Sequence, residues 1–258
     1  MQDVKTAKVL FLDGKLEEAC NMFYECARDG DAEAAFHYAY CLQYGYGVER
    51  DPVLARRFYG YAKEMVGEAC YNLALMYLHA EGGAADYRMA YSLMYDAAIA
   101  DIIEAQLYLA VAHTMGMLFE PDIIGLSLIP YHSHITRETV YELMGEVPYS
   151  EEDEELRIRA VRFDPHSAFL WFRRAAKHNS DYVEELASQS KYLFARCFVD
   201  GLGTEFDRAR AEELMLVAAS DGSPDALRFL EENAPYRLAE LQNTDKLADI
   251  RRVYRLGS

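Results

Sequence analysis

Apolar residues recur three and four positions apart through most of the chain, which is the spacing of a helix with one buried face. Three such segments have the same opening and nearly the same length: "EAAFHYAYCLQYG" from Glu33, "EACYNLALMYLHA" from Glu68 and "EAQLYLAVAHTMG" from Glu104. Their Glu-Ala pairs stand 35 and 36 residues apart, a period that marks stacked structural repeats. A second kind of segment follows in each period. "DPVLARRFYGYAK" from Asp51, "DPHSAFLWFRRAAK" from Asp164 and "DRARAEELMLVAAS" from Asp207 place an Asp four residues before an Ala, as does Asp86 before Ala90. Each unit is therefore two helices. Asp caps the free amides of the second, and Pro52 and Pro165 suit its first helical position.

Between the two helices lies Gly45-x-Gly47, which beside a helix start invites a phosphate-loop reading. It recurs as Gly201-x-Gly203, and in degenerate form as Ala80-x-Gly82 and Gly116-x-Leu118. A phosphate loop does not recur once per repeat, whereas a helix-ending turn that needs positive φ does. The glycines are read as turns.

The motif running from Tyr71-Asn72-Leu73-Ala74-Leu75-Met76-Tyr77, through the loop Gly45-Tyr46-Gly47-Val48, to Ala168, Trp171, Phe172, Ala175 and Ala176 resembles the Sel-1-like repeat, a relative of the tetratricopeptide repeat. The resemblance is strong over about residues 32 to 118 and 161 to 223. It implies an all-α fold, an α/α solenoid wound as a right-handed superhelix, in one domain. The expected repeats cover about 4–31, 32–67, 68–103, 104–179 and 180–223, followed by C-terminal capping helices over 224–256. In the fourth repeat 42 residues, about 119–160, stand between the two helices. Long excursions from a solenoid are more often functional than the repeats that carry them. Here Ser150, three before Asp153, predicts a capped helix, and "ITRETVYELMG" reads as another short one.

Composition then limits the chemistry. With 258 residues and 52% hydrophobic content the chain can bury a core, and no run of about 18 apolar residues suggests a membrane span. A cytoplasmic protein is expected. Five cysteines without a Cys-x-x-Cys read as reduced helix residues. The net charge of −17 speaks against nucleic acid, and is read either as ordinary solubility or as a match for a basic partner. His132-x-His134, with Asp122 and Glu138 nearby, could imaginably hold zinc or iron, but the spacing fits a polar loop between prolines better. No metal or other cofactor is expected. Seven scattered histidines lack a partnered acid or nucleophile, so the chain is read as no enzyme, with a hydrolase as a distant alternative.

The resemblance implies a protein–protein interaction scaffold or adaptor that takes a protein or peptide on the concave face formed by the first helices. Tyr40, Gln43, Tyr44, Leu75, His79, Val111, Thr114, Arg196 and Asp200 are the residues expected there. In the insertion His132, His134, Glu151, Glu152, Asp153, Glu154 and Glu155 are expected to meet the partner, the acids steering a basic one. A narrower alternative is an immunity-type inhibitor of a basic toxin. The bases Arg237, Lys246, Arg251, Arg252 and Arg255 near the C-terminus read as one helix capping the last repeat, and could pair with another copy, so self-association is a further expectation.

Overall fold

A computed structural model describes residues 3–119, 150–178 and 184–256. The chain divides into two compact units, Met1–Ile102 and Ile103–Ser258. In the first unit α1 (Val4–Leu12) and α2 (Leu16–Arg28), α3 (Ala32–Tyr44) and α4 (Pro52–Ala62), and α5 (Gly67–Leu78) and α6 (Tyr87–Ile99) form three packed pairs. In the second unit α7 (Ile103–Met115) packs on α9 (Pro165–Ala175), with α8 (Glu151–Ala160) between them in sequence. Next come α10 (Glu184–Asp200), α11 (Arg208–Ser220) and α12 (Pro224–Asn233). A 3₁₀ helix, η1 (Pro235–Gln242), and α13 (Thr244–Tyr254) complete it. No strand occurs among the described residues.

Each recurrent Asp does the same job. Asp51, Asp86, Asp164 and Asp207 cap their helices by accepting from the backbone N–H of Leu54, Met89, Ser167 and Arg210 at 2.9–3.1 Å. The alanine four residues on is buried in every case, at Ala55, Ala90, Ala168 and Ala211. A methyl there lets neighbouring helices approach closely, and a larger side chain would have to push them apart.

The two glycines of each turn have different reasons to be glycine. Gly45 and Gly201 end α3 and α10 in the left-handed region, at φ 77° and 68°, where a helix commonly stops. Ala80 takes that conformation in the third pair despite its Cβ, at φ 53°. The second glycine is hemmed in as well. A Cβ on Gly47 would stand 2.2 Å from the Leu16 carbonyl oxygen, on Gly82 2.3 Å from that of Pro52, and on Gly203 2.0 Å from that of Pro165. Leu16, Pro52 and Pro165 are the first residues of α2, α4 and α9, so each turn rests on the start of the preceding pair's second helix. The space a phosphate would need is filled by the chain's own backbone.

The C-terminal segment departs from the single helix expected. Pro235 brings no N–H, and the chain runs as η1 until Asn243 supplies a new cap, accepting from the Lys246 N–H at 3.0 Å. Three of its bases pair with acids of the cap or the helices beneath it, while Arg252 and Arg255 stay exposed. Arg237 bonds Glu212 at 3.2 Å and Glu240 at 2.9 Å, Lys246 bonds Glu240 at 2.6 Å, and Arg251 bonds Asp221. Asp221 also accepts from Lys191, which is fully buried.

Candidate functional site

The first helix of the N-terminal unit cannot bury all its apolar residues. Val4 and Ala7 face the neighbours, but Val9, Leu10, Phe11 and Leu12 follow one another, and no helix turns four successive residues to one side. Val9 is left 56% exposed and Leu12 84%. Beside them α1, α2 and α3 enclose a cavity of about 270 Å³, walled by Phe11 and Leu12 of α1, Phe23 of α2, and Phe36, His37 and Tyr40 of α3, with Lys8 at its edge. That is the room of one large side chain rather than of a cofactor.

The walls are continuous aromatic surface. The Phe23 ring stacks on His37 at 4.8 Å, and Phe11 meets Tyr46 edge-on at 5.9 Å. Tyr40 lies 4.7 Å from Tyr44 and 5.8 Å from Tyr46, and the Tyr44 and Tyr46 rings stack at 5.8 Å. Tyr44 is half exposed and Tyr46 exposed. The helix period explains Tyr40 and Tyr44, four apart on one face of α3, while the Gly45-Tyr46-Gly47 turn swings Tyr46 back over them.

The charged residue at the cavity edge, Lys8, has an acidic partner. Lys8 Nζ donates to Glu33 at 2.8 Å, and that hydrogen bond holds the Glu33 carboxyl below the usual carboxylate range. Burial pushes the His37 imidazole toward its neutral form, helped by Lys8 and opposed by Glu33 and Glu68. Behind the groove a hydrogen-bonded chain fixes α3: Asn72 Nδ2 donates to the Tyr59 hydroxyl at 3.2 Å, Tyr59 to Gln43 Oε1 at 2.9 Å, and Gln43 Nε2 to Glu81 at 2.9 Å. Arg50 completes it by donating to Glu81 at 2.5 Å and to the Gln43 carbonyl at 2.9 Å.

The residues expected on one face have separate fates. Tyr40 and Tyr44 join the groove. Gln43 is buried, because both ends of its carboxamide are used by that hydrogen-bonded chain. Leu75 is half-buried and His79 is exposed at the end of α5. Val111 and Thr114 are wholly buried rather than presented on a surface, with the Thr114 hydroxyl donating to the Ala110 carbonyl at 2.9 Å. Arg196 is buried too: it donates to Asp200 at 3.1 Å and to the Tyr192 hydroxyl at 2.9 Å, and the Asp200 carboxylate is covered with it.

Of the insertion, His132, His134 and the "ITRETVYELMG" segment lie outside the described residues. Ser150 caps α8 by accepting from the Asp153 N–H at 3.2 Å. Glu151 opens that helix, though its side chain lies outside the description. Glu152 is exposed, Asp153 and Glu154 are half-buried, and Glu155 is exposed. Arg157 bonds Asp153 at 3.0 Å and Arg159 bonds Glu155, so two of the acids already have cationic neighbours one turn on. Among the described residues no three His, Cys, Asp or Glu side chains gather as a metal site, and no helix is long and apolar enough to cross a membrane.

The model of the Sel1 repeat matches residues 32–65, 67–101, 159–180 and 188–223. The chain belongs to the Sel1 repeat family. The third match covers the second helix of the interrupted Sel1 repeat, the one that packs on α7 across the insertion. Among solved structures, a Sel1 repeat protein from Oxalobacter formigenes is similar with a TM-score of 0.66, over 89% of this chain and 75% of its own, at 19% identity. That likeness concerns the fold, and it supports the all-α solenoid class. A second structure is c5321, described as a protective antigen present in uropathogenic Escherichia coli strains displaying an SLR fold. It aligns over 93% of this chain and 65% of its own, at 16% identity and a TM-score of 0.38, and adds nothing to the assignment. No curated protein matches the sequence. Sel1 repeats are in general protein–protein interaction modules and non-catalytic scaffolds.

The sequence pattern missed Lys8, Phe11, Leu12 and Phe23, because α1 and α2 form a variant pair in which the repeat motif is weak, and it missed Phe36 and His37 of α3, which face that pair. The signal was there in the four successive apolar residues Val9–Leu12, too many for one buried face.

Proposed function

We propose that this Sel1 repeat chain is a non-enzymatic adaptor that binds another protein through the aromatic groove of its N-terminal unit. One observation carries the reading: an apolar cavity between first helices opens beside exposed Leu12, Val9, Tyr44 and Tyr46. Large apolar side chains clustered at a surface mark interaction sites far more often than single exposed ones do. A cytoplasmic adaptor that assembles a complex fits this chemistry, with the acids of α8 as a second contact for a basic partner. The net charge of −17 favours, as a second reading within the same class, an inhibitor that covers a basic toxin.

The test is site-specific photo-crosslinking in native lysate. A photoreactive residue at Leu12 or at Tyr44 should capture the same discrete protein, while one at Arg252, exposed in the C-terminal unit, should not. Identical products from all three positions would remove the groove from the reading. For the toxin reading, the captured protein should lose its own toxic activity on binding; an active complex would leave the adaptor alone.

A further inference from the structure

We infer that the groove takes a basic segment of its partner, in which one aromatic or large aliphatic anchor is flanked by lysine or arginine. The inference rests on the groove reading above and adds the chemistry of the occupant. Its apolar half follows from the cavity, whose walls of Phe11, Phe23, Phe36 and Tyr40 offer no charged partner to an anchor and whose volume suits one large side chain.

The basic half follows from two acids near Lys8 and His37, residues of the cavity lining. Glu33 and Glu68 hold the same position in the first turn of α3 and α5, 35 residues apart, so the repeat itself sets carboxylates in a row. Both are exposed, and both act electrostatically on His37 in the groove wall. One seat is already demonstrated from within: the Lys8 ammonium lies 2.8 Å from Glu33. An incoming lysine or arginine at Glu33 or Glu68 would repeat that contact. The N-terminal unit as a whole carries sixteen Asp and Glu against nine Lys and Arg, so its field also draws a cation in. An acidic segment would have to compete with Glu33 for Lys8 and would meet the other carboxylates unpaired.

Fluorescence anisotropy on the full chain decides the matter, with twelve-residue peptides that share a central Trp and differ in four flanking residues, all Lys, all Ser or all Glu. The Lys peptide should bind at least tenfold tighter than the Ser peptide at low salt and lose that advantage as salt rises. Glu33→Gln combined with Glu68→Gln should erase the advantage, and Lys8→Ser, which vacates Glu33, should tighten the Lys peptide severalfold. Leu12→Ser and Tyr40→Ala should weaken all binding. Equal binding of the Lys and Ser peptides, tighter binding of the Glu peptide, or no binding by any of the three overturns the basic segment. Selective Lys-peptide binding that survives Leu12→Ser and Tyr40→Ala instead overturns the groove.

Discussion

The first helices of the N-terminal unit and the last helices of the C-terminal unit treat their outer surfaces in opposite ways. At α1 the chain leaves Leu12 and Val9 in solvent beside an open cavity. At α11 and α12 it lays η1 and α13 over the surface, buries Leu247 and Ile250, and ties the cover down through Glu212, Glu213 and Asp221. A repeat cannot bury its own hydrophobic face and needs a neighbour or a cap. The C-terminal unit supplies its cap in sequence, with charges that match. In the N-terminal unit Val9 and Leu12 stay in solvent beside the aromatic rings of the groove.

The covered surface should be the more sensitive to a single change. Asp221→Ala strands the buried Lys191 ammonium and frees Arg251 at once, and breaking a buried pair from one side costs about 3–5 kcal/mol. Urea denaturation followed by circular dichroism should show that loss; wild-type stability would mean that the cap is held by apolar contacts alone. The next largest effect belongs to the turn under Tyr46. Gly47→Ala should cost about 1–2 kcal/mol for the left-handed backbone, with a further loss as the new Cβ pushes away the Leu16 carbonyl at the start of α2. Gly45→Ala, whose new Cβ would have ordinary contacts no closer than 3.5 Å, should show the conformational loss alone in the same urea denaturation.

Smaller effects sharpen the contrast from the open side. Gly60 lies inside α4 with nothing within 4 Å of where a Cβ would stand. Gly60→Ala should therefore raise the stability of the N-terminal unit by about 0.5–1 kcal/mol, seen as a higher melting temperature. Leu12→Ser should change stability by less than about 0.5 kcal/mol, because the side chain it removes is already in water. A clear destabilisation would show that Leu12 contributes to folding and that the open surface is part of the core.

What the sequence made legible was whatever the repeat imposes. Asp51, Asp86, Asp164 and Asp207 announce helix starts because capping is a local hydrogen bond between residues three apart, and Ala55 and its counterparts announce close packing. The second glycine was legible as a turn, but its contact with the preceding pair was not, since α2 and α3 lie between Leu16 and Gly47 in the chain. Which side chains of a first helix stay exposed depends on what covers them. Gln43 and Tyr44 are adjacent in sequence, yet one is locked between Tyr59 and Glu81 and the other is half exposed. Val111 and Thr114 sit on a helix buried almost all round, where the apolar period that guides such a reading is lost. The groove itself required three helices from two pairs, a conjunction that no single segment encodes.

All five cysteines are buried on helices, four in the first unit and Cys197 in the second. Burial raises the Cys70 thiol to about 11 and pushes Cys197 up as well, so neither offers thiolate at neutral pH. Because all five are buried, an alkylating reagent should leave the native chain unmodified and mark each unit only as it opens. Mass spectrometry after a brief maleimide pulse in rising urea would read Cys197 as the reporter of the C-terminal unit and Cys20, Cys41 and Cys70 as reporters of the N-terminal one. The chain carries a built-in, residue-resolved measure of whether its two units unfold together or one at a time, with no residue substituted.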